Sequence, residues 1–74
     1  MNRKLKNVQV DDLTVVNDDP ETTVYIVSEI INGANGKWAK LNYQEGYKLV
    51  SGGEMPVSCL YKPTKKQLEN SGLN

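Results

Sequence analysis

The chain contains no histidine and no phenylalanine, and only one cysteine and one tryptophan. Without histidine, the commonest general base near neutral pH is missing, and neither a Ser-His-Asp nor a Cys-His arrangement can form. One cysteine excludes an internal disulfide and, with no histidine, a structural zinc site within one chain. We therefore expect a protein that is not an enzyme and that uses no cofactor or metal.

Long hydrophobic runs are also missing. No apolar stretch approaches the roughly 18 residues of a membrane span, and no apolar segment follows the first basic residues as it would in a signal peptide. A single thiol, Cys59, suits a reducing compartment, and its apolar neighbours favour a buried structural thiol over a reactive one. The sequence predicts a cytoplasmic protein with no membrane partner.

Net charge is zero, because nine basic and nine acidic residues cancel. A neutral chain has no long-range attraction for nucleic acid or membrane. The charges are nevertheless segregated into a basic start, an acidic segment and a mildly basic second half. The acidic residues of segment 11–21 are Asp11, Asp12, Asp18, Asp19 and Glu21. The lysines of the second half are Lys37, Lys40, Lys48, Lys62, Lys65 and Lys66.

Seventy-four residues allow one domain, which buries roughly 60–65% of its unfolded surface. The apolar residues are mainly valine, isoleucine, leucine and tyrosine, and this β-branched surplus favours strands. We divide the chain into a flexible basic leader (1–6), a β domain (7–63), and a short helix with a tail (64–74).

Strand patterns and turn signals alternate along the β domain. Residues 7–16 read as one bent strand or as a loop with strand-like edges, and 22–31 is the clearest strand. Residues 32–36, with two asparagines and two glycines, predict a hairpin loop. Turns at 45–46 and 51–54 then separate strands at 47–50 and 55–61, and Pro56 argues for an edge or a bulge because it has no N–H.

Residues 37–43 alternate between the two faces of a strand. We expect Ala39, Leu41 and Tyr43 to face inward. Trp38 and Lys40 then face outward. The tail carries the one helical signal, a capping box starting at Thr64.

The spacing of Thr64 and Gln67 lets each side chain bond the other's backbone amide, and Gly72 suits a helix end. Together these signals predict about five short strands and one short terminal helix, which is typical of a small β sandwich or barrel.

The segments 37–41 (KWAKL) and 55–61 (MPVSCLY) resemble the third strand and the exit of Src-homology-3-like (SH3-like) and Tudor-like barrels. In such barrels an aromatic precedes a small inward residue, and a 3₁₀ turn, here at 58–60, leads into a last strand. The resemblance covers residues 10–63, and the acidic segment stands where these domains carry a long first loop. It implies an all-β, five-stranded SH3-like barrel with a short C-terminal helix.

The resemblance implies no ligand. The Ala-Leu-Tyr-Asp-Tyr opening that serves proline-rich peptides is missing, the usual tryptophan pair is a single Trp38 followed by alanine, and no methyl-lysine cage of several aromatics can be assembled. Function must therefore be argued from individual residues.

An outward Trp38 is the strongest sign of a binding surface, because exposed Trp and Tyr supply large contact area at low entropic cost. Tyr25, Tyr47 and the acidic residues of segment 11–21 are candidate companions for a protein or peptide partner. The alternative is that Trp38 covers one end of the barrel and that the tyrosines are half-buried core.

Two other functions remain open. Lys37, Lys40, Lys48, Lys62, Lys65 and Lys66, interleaved with Trp38 and Tyr47, could bind nucleic acid weakly and without sequence preference. The chain could instead be a structural or assembly subunit whose edge strand pairs with a copy of itself. We accordingly expect a monomer or a weak homodimer.

Overall fold

The computed structural model describes residues 3–72, so residues 1–2 of the expected leader and 73–74 of the tail lie outside the described residues. Four antiparallel strands in the order β1-β2-β3-β4 form a sheet curled into a half-barrel. The elements are β1 (Leu13–Thr14), β2 (Tyr25–Gly33), β3 (Gly36–Glu45), β4 (Lys48–Pro56), a 3₁₀ turn (Val57–Cys59) and α1 (Lys65–Asn70).

The expectation of an all-β fold with one short helix is confirmed, but the expectation of five strands is wrong. The difference arises at residues 51–54, which the sequence predicts as a turn and which lie inside β4. Leu41 pairs with Gly53 and Asn42 with Ser51, so Gly52 is an extra residue in a β-bulge. The bulge bends the chain without reversing it, and two expected strands therefore become one.

Two-residue turns connect the long strands. The expected loop 32–36 narrows to Ala34 and Asn35, because Gly33 already pairs with Gly36, whose φ is +121°. Glu45 likewise pairs with Lys48 around the second turn. Each tight turn fixes the register of its strand pair, and a bulge further along each pair shifts that register by one residue.

The core lies on one face of the sheet, called here the core face. Ala39 is fully buried and Leu41 is 1% exposed, which confirms their expected inward direction, and Tyr43 on the same face is half-buried. A second bulge, between Val27 and Glu29, places both Val27 and Ile30 on this face, opposite Leu41 and Ala39. The buried apolar residues are Val15, Val24, Val27, Ala39, Leu41 and Leu60.

Residues 60–62 are bonded to residues 3–5 on one side and to Val15 on the other. The Leu5 amide donates to the Leu60 carbonyl (3.1 Å), and the Lys62 amide donates to the Arg3 carbonyl (2.6 Å). On the other side, Val15 and Tyr61 exchange backbone bonds of 3.0 and 2.9 Å. The segment makes isolated bridges rather than a fifth strand because the 3₁₀ turn and the prolines at 56 and 63 limit its length. Residues 3–5, part of the expected flexible leader, are thus bonded to residues 60–62.

Helix α1 begins with the expected capping box. The Gln67 amide donates to Thr64 Oγ1 (3.0 Å), and the Thr64 amide donates to Gln67 Oε1 (2.9 Å). Gly72, with φ +73°, follows the helix and donates its amide to the Glu69 carbonyl (3.1 Å). Both predicted signals of the helix are confirmed.

Candidate functional site

Trp38 lies on the face of the sheet opposite the core, called here the outer face, and it is 40% exposed. It stands on β3, with Ile31 opposite it on β2 and Pro56 opposite it on β4. Residues directly opposite one another in a sheet share a face, so these three side chains form one line across three strands, the Trp38 row. The expected outward direction of Trp38 is confirmed.

The glycine next to this row leaves the indole uncovered on one side. A Cβ placed on Gly33 would lie 3.5 Å from Trp38 Cδ1, so the indole reaches back along the hairpin over a position that has no side chain. Ile31 and Pro56 are half-buried. The row is therefore a small apolar strip whose most exposed member is the ring at its centre.

A charged row runs parallel to the Trp38 row. Lys40 lies opposite Glu29 on β2 and Glu54 on β4, and all three are exposed. Lys40 Nζ is 3.8 Å from Glu29 Oε1. An exposed pair of this kind contributes little stability, on the order of 0–1 kcal/mol. The row instead presents negative, positive and negative charge in order beside the apolar strip.

The two tyrosines named with Trp38 do not join it. Tyr25 lies on the core face, where its ring meets the Tyr43 ring edge to face at a centroid distance of 6.0 Å. Its ring also covers Gly52, since a Cβ there would lie 2.7 Å from Tyr25 Cε1. Tyr47 is fully exposed in the β3–β4 turn, and seven residues of strand separate that turn from Trp38, roughly 23 Å.

The acidic residues form no single patch. Asp18 forms an ion pair with Arg3. Asp12 accepts a bond from the Gln9 amide (2.8 Å), and Asp19 accepts one from the Glu21 amide (3.0 Å). Short polar side chains that bond nearby amides shape turns, so part of this acidic segment serves its own loop geometry.

Basic residues gather around a cleft beside the start of the described chain. It has a volume of about 650 Å³, and its apolar lining includes Leu5 and Leu68. Asp11 and Asp12 also line it, which places two of the predicted acidic residues among cations. The basic residues lining the cleft are Arg3, Lys4, Lys6 and Lys62.

The other predicted lysines are dispersed. Lys37 and Lys40 are on β3, Lys48 follows the β3–β4 turn, and Lys65 and Lys66 are in the first turn of α1. All are exposed. The structure therefore divides the predicted lysine surface among several elements.

A second cleft, of about 820 Å³, lies between the loop before β2 and the end of α1. Glu21 and Gln44 contribute polar side chains to it, and Asn70 to Gly72 form its helical side. Glu21 is the one predicted site residue that lines it. Trp38 lines neither cleft.

Other features bear on chemistry. Cys59 is a half-buried free thiol. Within residues 3–72, no group of three or more His, Cys, Asp or Glu side chains is placed to hold a metal ion. No helix in that part of the chain has the length and apolar character to cross a membrane.

No protein-family model matches the chain, and comparisons with curated proteins and with solved structures find no match. The geometry defines a small antiparallel β protein with an exposed tryptophan on its outer face.

Sequence reasoning missed Ile31 and Pro56 as neighbours of Trp38. The signal for Ile31 was present, since a two-residue turn at 34–35 places residue 31 opposite residue 38. The position of Pro56 had no such signal, because the bulge at Gly52 shifts the β3–β4 register by one residue.

Proposed function

We propose that this protein is a non-catalytic binding module for a protein or peptide, and that the Trp38 row is its contact surface. The observation that carries the proposal is an indole 40% exposed on the outer face of the sheet, flanked on the neighbouring strands by half-buried Ile31 and Pro56. A large aromatic held by a rigid strand loses little side-chain entropy on binding.

The charged row would determine how a partner is aligned on the proposed surface. A partner that lays an apolar side chain on Trp38 would meet Glu29, Lys40 and Glu54 beside it, so charges in the order positive, negative, positive would match. Such pairs favour the correct register more than they add affinity.

The acidic segment has a structural role in this proposal, since its Asp18 is paired with Arg3. We place the protein in the cytoplasm in this proposal, because a single free thiol suits a reducing compartment.

The test compares immobilised wild-type protein with Trp38→Ser and with Tyr47→Ser as the matched control. Both variants remove one exposed aromatic, but Tyr47 lies at the far turn. Each is incubated with nuclease-treated cell extract, after circular dichroism has shown that it folds. We expect the wild type and Tyr47→Ser to retain the same proteins and Trp38→Ser to lose them. Equal retention by all three would contradict the proposal.

A second candidate function rests on the basic cleft. Lys4, Lys6 and Lys62 line one concave surface, which could contact the phosphates of a nucleic acid weakly and without sequence preference. Its test is fluorescence anisotropy of a labelled single-stranded oligonucleotide at increasing salt. Loss of binding in Lys4→Ala/Lys62→Ala, with steep salt dependence, would favour it, and Lys65→Ala/Lys66→Ala is the matched control.

A further inference from the structure

The outer edge of β2 is open over half of the strand. β1 covers Tyr25 and Ile26, and the backbones of Asp11 and Asp12 bond Val27 (2.8 and 2.9 Å). Beyond Val27, within residues 3–72, β2 makes backbone hydrogen bonds with β3 alone. The open segment runs from Glu29 to Gly33.

The alternation of backbone bonds identifies the free groups. Gly33 and Gly36 close a two-residue turn, so this pair exchanges hydrogen bonds, and Ile31 with Trp38 is the next such pair. The residues between them point their N–H and C=O groups away from β3. The free groups therefore belong to Ile30 and Asn32.

The opposite edge of the sheet is obstructed. β4 carries the bulge at Gly52, its Gly53 has φ +90°, and Pro56 has no N–H to donate. Bulges and edge prolines are devices that prevent strand addition. The open segment of β2 has no bulge, proline or lysine, and its centre is Ile30-Ile31. The sheet is thus protected at one edge and open at the other.

We propose that a second copy of the chain pairs with this open segment, antiparallel and centred on Ile31. The segment 29–33 is bounded by occupied Val27 on one side and by the hairpin turn on the other, and Ile31 is its midpoint. In this register Ile30 exchanges backbone bonds with the partner's Asn32 and the reverse, giving about four hydrogen bonds.

The side chains are self-complementary in the same register. Ile31 stands opposite the partner's Ile31 on the outer face, which joins the two Trp38 rows into one apolar line across both sheets. Glu29 stands opposite the partner's Gly33, so no like charges oppose each other. Centring the pair on Ile30 would instead place Glu29 against the partner's Ile31, which is why the Ile31 register is favoured.

The first test is the molar mass in solution. Sedimentation equilibrium of the wild type should show a mass rising with concentration from 8.3 kDa towards twice that value. Ile31→Lys should remain monomeric, because it places two ammonium groups opposite each other at the twofold axis. Ile26→Lys is the matched control on the same strand and face, and it should still associate because Ile26 pairs with β1.

The second test reads the register. In a Cys59→Ser background, Ile31→Cys should form a disulfide-linked dimer under mild oxidation, since opposed residues of a non-hydrogen-bonded pair lie about 4.5 Å apart, within disulfide range. Asn32→Cys should cross-link far less, because its like residue is two positions out of register. A monomer at every concentration up to about 1 mM, or equal cross-linking at positions 31 and 32, would overturn the proposal.

Discussion

The side-chain nitrogen of Gln67 lies 3.0 Å from the carbonyl oxygen of Asn17, and it donates a second bond of 3.0 Å to the carbonyl of Asp19. Gln67 is fully buried. Gln67 therefore caps its own helix by accepting a bond at Oε1, and it binds the backbone of the acidic segment by donating two bonds from Nε2. A helix of two turns is only marginally stable in isolation. The Gln67 contacts with the acidic segment therefore help to stabilise α1.

We expect Gln67→Ala to destabilise the protein by about 2 kcal/mol, because it removes the Gln67 bonds to the Asn17 carbonyl and the Thr64 amide. The Asp19 carbonyl loses one of its two donors and keeps the Thr22 amide. Thr64→Ala, which removes only part of the capping box, should cost about 1 kcal/mol. The measurement is urea unfolding. Glu69→Ala, on the exposed side of α1, serves as the control and should stay within about 0.5 kcal/mol of the wild type. Equal losses for Gln67→Ala and Thr64→Ala would mean that the contact with the acidic segment adds no stability.

Gly52→Ala should destabilise by about 1–3 kcal/mol, because its Cβ would come 2.7 Å from Tyr25 Cε1. A double-mutant cycle with Tyr25→Leu should recover most of this loss, since the smaller side chain vacates the contact. Gly53→Ala is the control: nothing lies within 4 Å of its Cβ, and its cost arises from φ +90°. That cost should not change with Tyr25→Leu, and a shared response of both glycines would show that the Tyr25 contact is not the cause.

Leu5→Ala should cost about 1.5 kcal/mol in urea unfolding, because Leu5 packs against the core cluster beside its backbone bond to Leu60. Lys6→Ala is exposed and should be neutral. If the two variants were equally stable, the packing of the Leu5 side chain on the core would contribute nothing to the folded state.

Trp38 fluorescence should be quenched by both iodide and neutral acrylamide, with Stern–Volmer constants between those of free N-acetyltryptophanamide and of a buried indole. The physical reason is its 40% exposure on the outer face. Complete protection of the emission would place the indole in the interior and would remove the basis of the proposed contact surface.

Alternation of apolar and polar residues was enough to predict the two faces of β3. It assigned Ala39 and Leu41 to the core and Trp38 to the outer face, because side-chain direction in a strand depends only on local backbone geometry. The neighbours of Trp38 depend on register, which the Gly52 bulge changes by one residue. A pair of glycines is compatible with a turn and with a bulge, so Gly52 and Gly53 alone could not show which one forms. In the structure they form a bulge, and the Tyr25 ring packs against Gly52.

The capping box was likewise predictable, because it involves residues three positions apart. The burial of Gln67 was not, since its Nε2 partners are about 50 positions away in a loop with no regular pattern. The basic cleft was missed for a similar reason: Lys4 and Lys62 come together only because residues 3–5 pair with residues 60–62.

That pairing has a kinetic consequence. Strands β2 to β4 are joined by two-residue turns and can form with little loop-closure entropy, whereas Leu5 and Leu60 are about 55 positions apart in the chain. We expect the three-stranded meander to form in the folding transition state and residues 3–5 to pair with residues 60–62 afterwards. In stopped-flow experiments, Ala39→Gly should then slow folding, while Leu5→Ala should mainly accelerate unfolding. The pairing of residues 3–5 with residues 60–62 would thus set how long the folded molecule survives rather than how fast it forms.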